Sequence, residues 1–211
     1  MPQPLSATEA RILGVLIEKA KTTPDAYPLT VNSLTSGCNQ KTSREPVMSL
    51  SESEVQSALE ELRSRTLIME SYGASGRVLR YAHNFAKVYD VPAASVDLLA
   101  ILMLRGPQTA SELRANSERL HRFADASSVE AFLEELATRD SGAMVLKLPR
   151  QPGAREQRWT HLLCGMPTAE SISAGYAAKP AVLASDLEAR VERLEQEVAE
   201  LRATLARQAE A

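Results

Sequence analysis

Apolar residues fall at helical spacing in SATEARILGVLIEKAK (6–21), with Ile12, Leu13, Leu16 and Ile17 on one side. Ser6 and Glu9 stand three apart ahead of that run. There the serine oxygen and the glutamate side chain can satisfy orphan N–H groups of a helix start, which is a capping box. Two later segments carry nearly the same pattern. SEVQSALEELRSR (53–65) and SSVEAFLEELATR (127–139) align without gaps and agree at seven of thirteen positions. Val55, Leu59 and Leu62 recur at i, i+4, i+7, and so do Val129, Leu133 and Leu136. Ser51 with Glu54, and Ser127 with Glu130, have capping-box spacing, so both helices are expected to start there.

The similarity extends beyond these helices. TLIMES, YGASG and RVLRYAHNF follow the first; AMVLKL, PRQPGARE and QRWTHLL follow the second. Both read as strand, glycine-containing turn, strand, which is a β-hairpin. Ahead of the second helix, SVDLLAILMLRG (95–106) is apolar nearly all round and expected to be buried. TVNSLTSGC from Thr30 and TASELRANS from Thr109 supply a short second helix to each half. The order helix, helix, helix, strand, wing, strand thus occurs twice. The fold class is mainly α with small β-hairpins (α+β), arranged as two tandem winged-helix domains. The expected boundaries are 1–90 and 91–164, then a linker at 165–181 and a C-terminal helix at 182–211. The first half has an insertion of about a dozen residues between its second and third helices, beginning CNQKTSREPVM.

LSATEARILGVLIEKAKTTPDAYPLTVNSLTSGCNQKTSREPVMSLSESEV, continued by LRGPQTASELRANSERLHRF and LPRQPGAREQRWTHLL, resembles the YceH-like family of bacterial proteins. The likeness covers residues 5–163. It implies tandem winged helices and leaves the function open, because that family's members are largely uncharacterised.

Beyond the linker the pattern becomes heptad. Ala184, Val191, Val198 and Leu205 fall at a, and Leu187, Leu194 and Leu201 at d. Val at a with Leu at d favours a parallel two-stranded coiled coil. Arg190 would face Glu195 of a partner and Glu197 would face Arg202, so the charges agree with a homodimer. An amphipathic helix folded back on its own chain is the other reading.

Composition narrows the functional classes. The formal net charge is −3 over 211 residues, which gives no global attraction to nucleic acid. Residues 1–86 carry nine Lys/Arg and nine Asp/Glu, residues 87–163 ten of each, and residues 164–211 five against eight. Cys38 and Cys164 have no Cys or His at metal-ligand spacing and fit a reducing compartment. The N-terminus lacks a basic region followed by an apolar run, and LLAILML is too short to span a membrane. A soluble, cytoplasmic protein is expected, with no metal or cofactor. G-x-S-x-G, phosphate-loop, H-E-x-x-H and C-x-x-C motifs are all missing, so no enzyme is expected. His83 and His161 hold equivalent strand positions, which speaks for hairpin packing.

In a winged helix the third helix enters the major groove. Here the inward stripe turns Ser53, Ser57, Glu60, Glu61 and Ser64 outward, and Glu134 and Glu135 in the second half. Carboxylates near phosphates cost about 1 kcal/mol each in water and about 4 near a protein surface. Cations sit on loops instead. Asn39, Gln40, Lys41, Thr42, Ser43 and Arg44 occupy the insertion; Arg77 and Arg80 the first wing. Lys147, Arg150, Arg155 and Arg158 occupy the second wing, against the lone Glu156. Two readings follow. One is a DNA-associated regulator holding double-stranded DNA phosphates through these loops. The other is a non-catalytic scaffold that docks proteins. For any single cation the plainer possibility is a solvated turn, with Arg44 paired to a nearby glutamate.

Overall fold

Helix α1 (Ala7–Thr22) starts at the expected box: Ser6 Oγ accepts from Glu9 N, and Glu9 accepts from Ser6 N at 2.6 Å. The computed structural model describes residues 3–72, 76 and 78–168. α2 (Val31–Cys38) is capped by Thr30, and α3 (Glu52–Ser64) by the Ser51/Glu54 box. β1 (Ile68–Tyr72) pairs antiparallel with β2 (Leu79–His83), with Ile68 opposite His83. A short helix α4 (Phe85–Tyr89) leads to the second copy. There α5 (Ala93–Arg105), α6 (Ala110–Ser117) and α7 (Ala126–Ala137) precede β3 (Val145–Lys147) and β4 (Trp159–His161). Val145 lies opposite His161, matching the first copy. Leu29 also bridges to Tyr81, and Gln108 to Trp159, so the residue before each second helix joins its hairpin. Among the described residues the fold is therefore α+β, mainly helical with two small antiparallel sheets.

One helix start differs from expectation. α7 is capped by Asp125, whose carboxylate accepts from Ser128 N at 2.7 Å, with Ser128 closing the box. The helix thus begins ahead of Ser127. Aspartate caps as well as serine does, and this earlier start leaves the Glu130 carboxylate unused at the cap.

The described fold belongs to one compact unit, Met1–Pro167. Val55, Leu59, Leu62, Val129, Leu133 and Leu136 are all buried in a core to which both copies contribute. α5 explains its own all-round apolarity, since it packs against α1, α4, α6, α7 and β4. Close approach between α1 and α5 needs Gly14: a Cβ there would lie 2.9 Å from Leu104 Cγ.

The insertion, 39–50, forms no helix or strand. Asn39 clamps it by exchanging two 2.8 Å hydrogen bonds with the Leu50 backbone. Arg11 donates to the carbonyls of Cys38 (3.0 Å) and Pro46 (2.6 Å) from beneath. Glu45 N donates to Leu104 O at 2.8 Å, tying the segment to α5.

Candidate functional site

The insertion exposes fewer cations than its sequence carries. Arg44 is 5% exposed. Its guanidinium grips Glu18 twice, at 2.6 and 3.2 Å, and also donates to Gly37 O and to Gln40 Oε1. Arg44, Gln40 and Asn39 are thus internal fasteners. Lys41 and Thr42 remain exposed.

The hairpins also engage part of their charge. Arg77 lies outside the described residues. Arg80 donates to Pro28 O at 2.8 Å, and Arg158 pairs with Glu112 at 3.3 Å. Lys147 Nζ sits between Glu130 (2.5 Å) and Glu134 (3.2 Å), 5.0 Å from the Trp159 ring centre. Glu130 also accepts from Trp159 Nε1 at 3.3 Å. The carboxylate released from the cap of α7 therefore fastens the β3–β4 hairpin to the helix. The hydrogen bond to Glu130 is the main reason the Lys147 ammonium is held above its usual range. Arg150 donates to the Arg155 carbonyl, and both side chains are exposed. Lys147, Arg150 and Arg155 do share a groove of about 300 Å³, together with Glu130 and Glu156. Lys41, Arg44, Arg80 and Arg158 do not line it.

The third helices present what the sequence suggests. Ser53, Ser57, Glu60, Glu61 and Ser64 of α3 are exposed, as are Glu134 and Glu135 of α7. An open groove of about 1020 Å³ runs between the start of α1 and α3, edged by Glu54, Glu60 and Glu61. Its one cation, Arg65, is already paired with Glu9 at 3.3 Å.

The family described as "Protein of unknown function, DUF480" matches residues 5–154. A UPF0502 protein of Acidovorax sp. (strain JS42) is 57% identical over 97% of this chain and 92% of its own length. One from Dechloromonas aromatica is 56% identical over 95% and 94%, and one from Leptothrix cholodnii 60% over 84% and 79%. The chain belongs to the DUF480/UPF0502 family. The likeness to an uncharacterised YceH-like family agrees with this membership.

Sequence reasoning passed over a second cationic cluster in this UPF0502 chain. Lys21, Arg119, His121 and Arg122 line an open groove of about 560 Å³. Three of them come from SERLHRF, the segment between the second and third helices of copy two. That is where the insertion sits in copy one, and the repeat could have pointed to it.

The remaining titratable groups are structural. Nδ1 of His83 and of His161 is buried without a hydrogen-bond partner among the described residues. Burial lowers both, His161 to about 4. Burial also pushes the Cys38 thiol up to about 12, so it is not a ready thiolate, whereas Cys164 is exposed. Among the described residues no group of three or more His, Cys, Asp or Glu is placed to hold a metal. No described helix is long and apolar enough to cross a membrane.

Proposed function

We propose that this UPF0502 protein is a non-catalytic cytoplasmic interaction module, built of tandem winged helices, that docks a partner protein on the acidic face of α3. One contrast supports this reading. Arg44, Arg80, Lys147 and Arg158, which a DNA-binding surface would need, are engaged within the fold, while Glu60 and Glu61 stand exposed and unpaired among the described residues. A partner segment rich in Lys and Arg suits the groove they edge, because opposite potentials steer association and set register. Surface charge alone supplies little affinity, so the partner must also bury apolar area. The test is cross-linking and recovery of partners with wild type and with Glu60→Lys/Glu61→Lys. A partner recovered with both chains equally would discard the α3 face.

A second reading, DNA association, keeps support from Lys41, Arg150 and Arg155, which are exposed. Three phosphate contacts imply a salt slope of only about −2.7 in log K against log salt. Duplex binding at low salt that is lost in Lys41→Glu/Arg150→Glu/Arg155→Glu would select this reading over the scaffold. The heptad residues Leu187, Val191, Leu194, Val198, Leu201 and Leu205 lie outside the described residues. The proposal gives them dimerisation, and truncation after Pro180 should then reduce the mass found by sedimentation.

A further inference from the structure

Asp97 of α5 is 1% exposed, both its carboxylate oxygens are enclosed, and the Lys21 ammonium is the cation paired with it among the described residues. Isolating an ionised carboxylate in this way is costly unless a cation answers it. Lys21 Nζ, in the last turn of α1, lies 3.5 Å away, and its side chain stays 44% exposed. Burial raises the Asp97 carboxyl, and Lys21 opposes that rise. The pair therefore pins an ammonium at the edge of the groove it lines with Arg119, His121 and Arg122, leaving donors of Lys21 for a ligand.

The rest of the groove is preformed. Ser117 is fully buried, and its carbonyl accepts from Leu120 N (2.7 Å) and His121 N (2.8 Å). Phe123 is buried, the His121 ring lies tilted against it with ring centres 4.5 Å apart, and Arg114 donates to its carbonyl at 3.4 Å. This backbone holds Arg119 and Arg122 between two anchors. Both guanidinium groups are exposed and make no ion pair or hydrogen bond among the described residues. Glu118 is the opposing charge on the wall.

We propose that this groove binds the phosphate group of a small phosphorylated molecule, held by Arg119 and Arg122 with Lys21 as a third donor. A guanidinium fork matches two phosphate oxygens at once, and two forks beside a fixed ammonium make a directed site. The groove's volume admits a ligand larger than bare phosphate. Asp97 is a positioning residue here, since it sets Lys21 and touches no ligand.

The test follows backbone amides of the full-length, isotope-labelled chain by NMR during titration with inorganic phosphate and with ribose 5-phosphate. A sodium chloride titration at matched ionic strength is the control. Saturable shifts centred on 119–122 are expected, stronger for the sugar phosphate. Arg119→Gln/Arg122→Gln, both surface changes, should weaken binding at least tenfold, and Glu118→Gln should tighten it. Asp97→Asn should weaken it too, with unchanged amide spectra elsewhere reporting that the fold persists. No saturable shift with either probe, or equal affinity in the double arginine variant, would overturn the site. So would a short DNA duplex that shifts these amides when the sugar phosphate does not, since that assigns the arginines to a nucleic-acid backbone.

Discussion

Arg11 lies mid-helix in α1, 1% exposed, with its guanidinium spanning the carbonyls of Cys38 and Pro46. Burial, and then the nearby Arg44, lower its pKa. Hydrogen bonds from a charged donor are worth about 1.5–3 kcal/mol each, and removing the donor strands the buried Cys38 carbonyl. Arg11→Ala should therefore lower stability by about 3–5 kcal/mol, read as a fall in the urea midpoint, with Arg11→Lys recovering part. His161 gives a second prediction at this scale. Its pKa is about 4 in the folded chain against the ordinary histidine value of 6.5. Between those values the unfolded chain binds a proton that the folded chain refuses. Stability is full above pH 6.5 and declines as pH falls through that window, by about 3 kcal/mol in all. His161→Gln should flatten that part of a stability-versus-pH curve. Unchanged slopes would mean that the imidazole titrates freely.

At the scale of elements, the start of α7 is decided by two caps that differ by two residues. Ser127 and Glu130 have the spacing of a box, and so do Asp125 and Ser128, which the helix uses. Local signals could not rank them. The tie is broken across the fold, because Lys147 and Trp159 of the second hairpin both need Glu130. Asp125→Ala should cost about 1 kcal/mol in thermal or urea unfolding, and Ser127→Ala less than about 0.5. Equal losses would return the cap to Ser127. Glu130→Gln is the companion change: it weakens the hold on Lys147 and should raise hydrogen exchange of the short β3–β4 ladder, with α3 unaffected. Ser6 and Thr109 were legible from sequence because each stands alone at the right spacing, whereas Ser51 prevails over Ser49, which also has a glutamate three residues on, and α5 starts at Ala93, two residues ahead of Ser95.

For the whole molecule, the decisive contact is α1 against α5. Gly14 meets Leu104 and the Ala100 carbonyl there, and Gly37 gives Val15 its room on the neighbouring face. Added bulk at Gly14 must push the two copies apart or displace Leu104. Gly14→Val should cost about 1–3 kcal/mol through overpacking. The loss should appear in one calorimetric transition of Met1–Pro167, because the core is shared. Two separated transitions, with only one moved, would show that the copies melt independently. The functional cations also belong to this scale. Glu18 reaches Arg44 across 26 residues, and Glu130 reaches Lys147 across 17. No window of sequence reports such pairing, so Arg44, Lys147 and Arg158 read as open cations and prove to be paired.

The sequence by itself determined the duplicated helix and hairpin order, the inward stripes, and the acidic outward faces of the third helices. Those features follow from backbone periodicity and neighbouring residues, which act over a few positions. Only the tertiary structure decided which charges stay available. An ion pair forms wherever packing brings its partners within a few ångströms, and packing joins residues without regard to their distance along the chain. The same rule that hid Arg44 left Arg119 and Arg122 open beside Lys21.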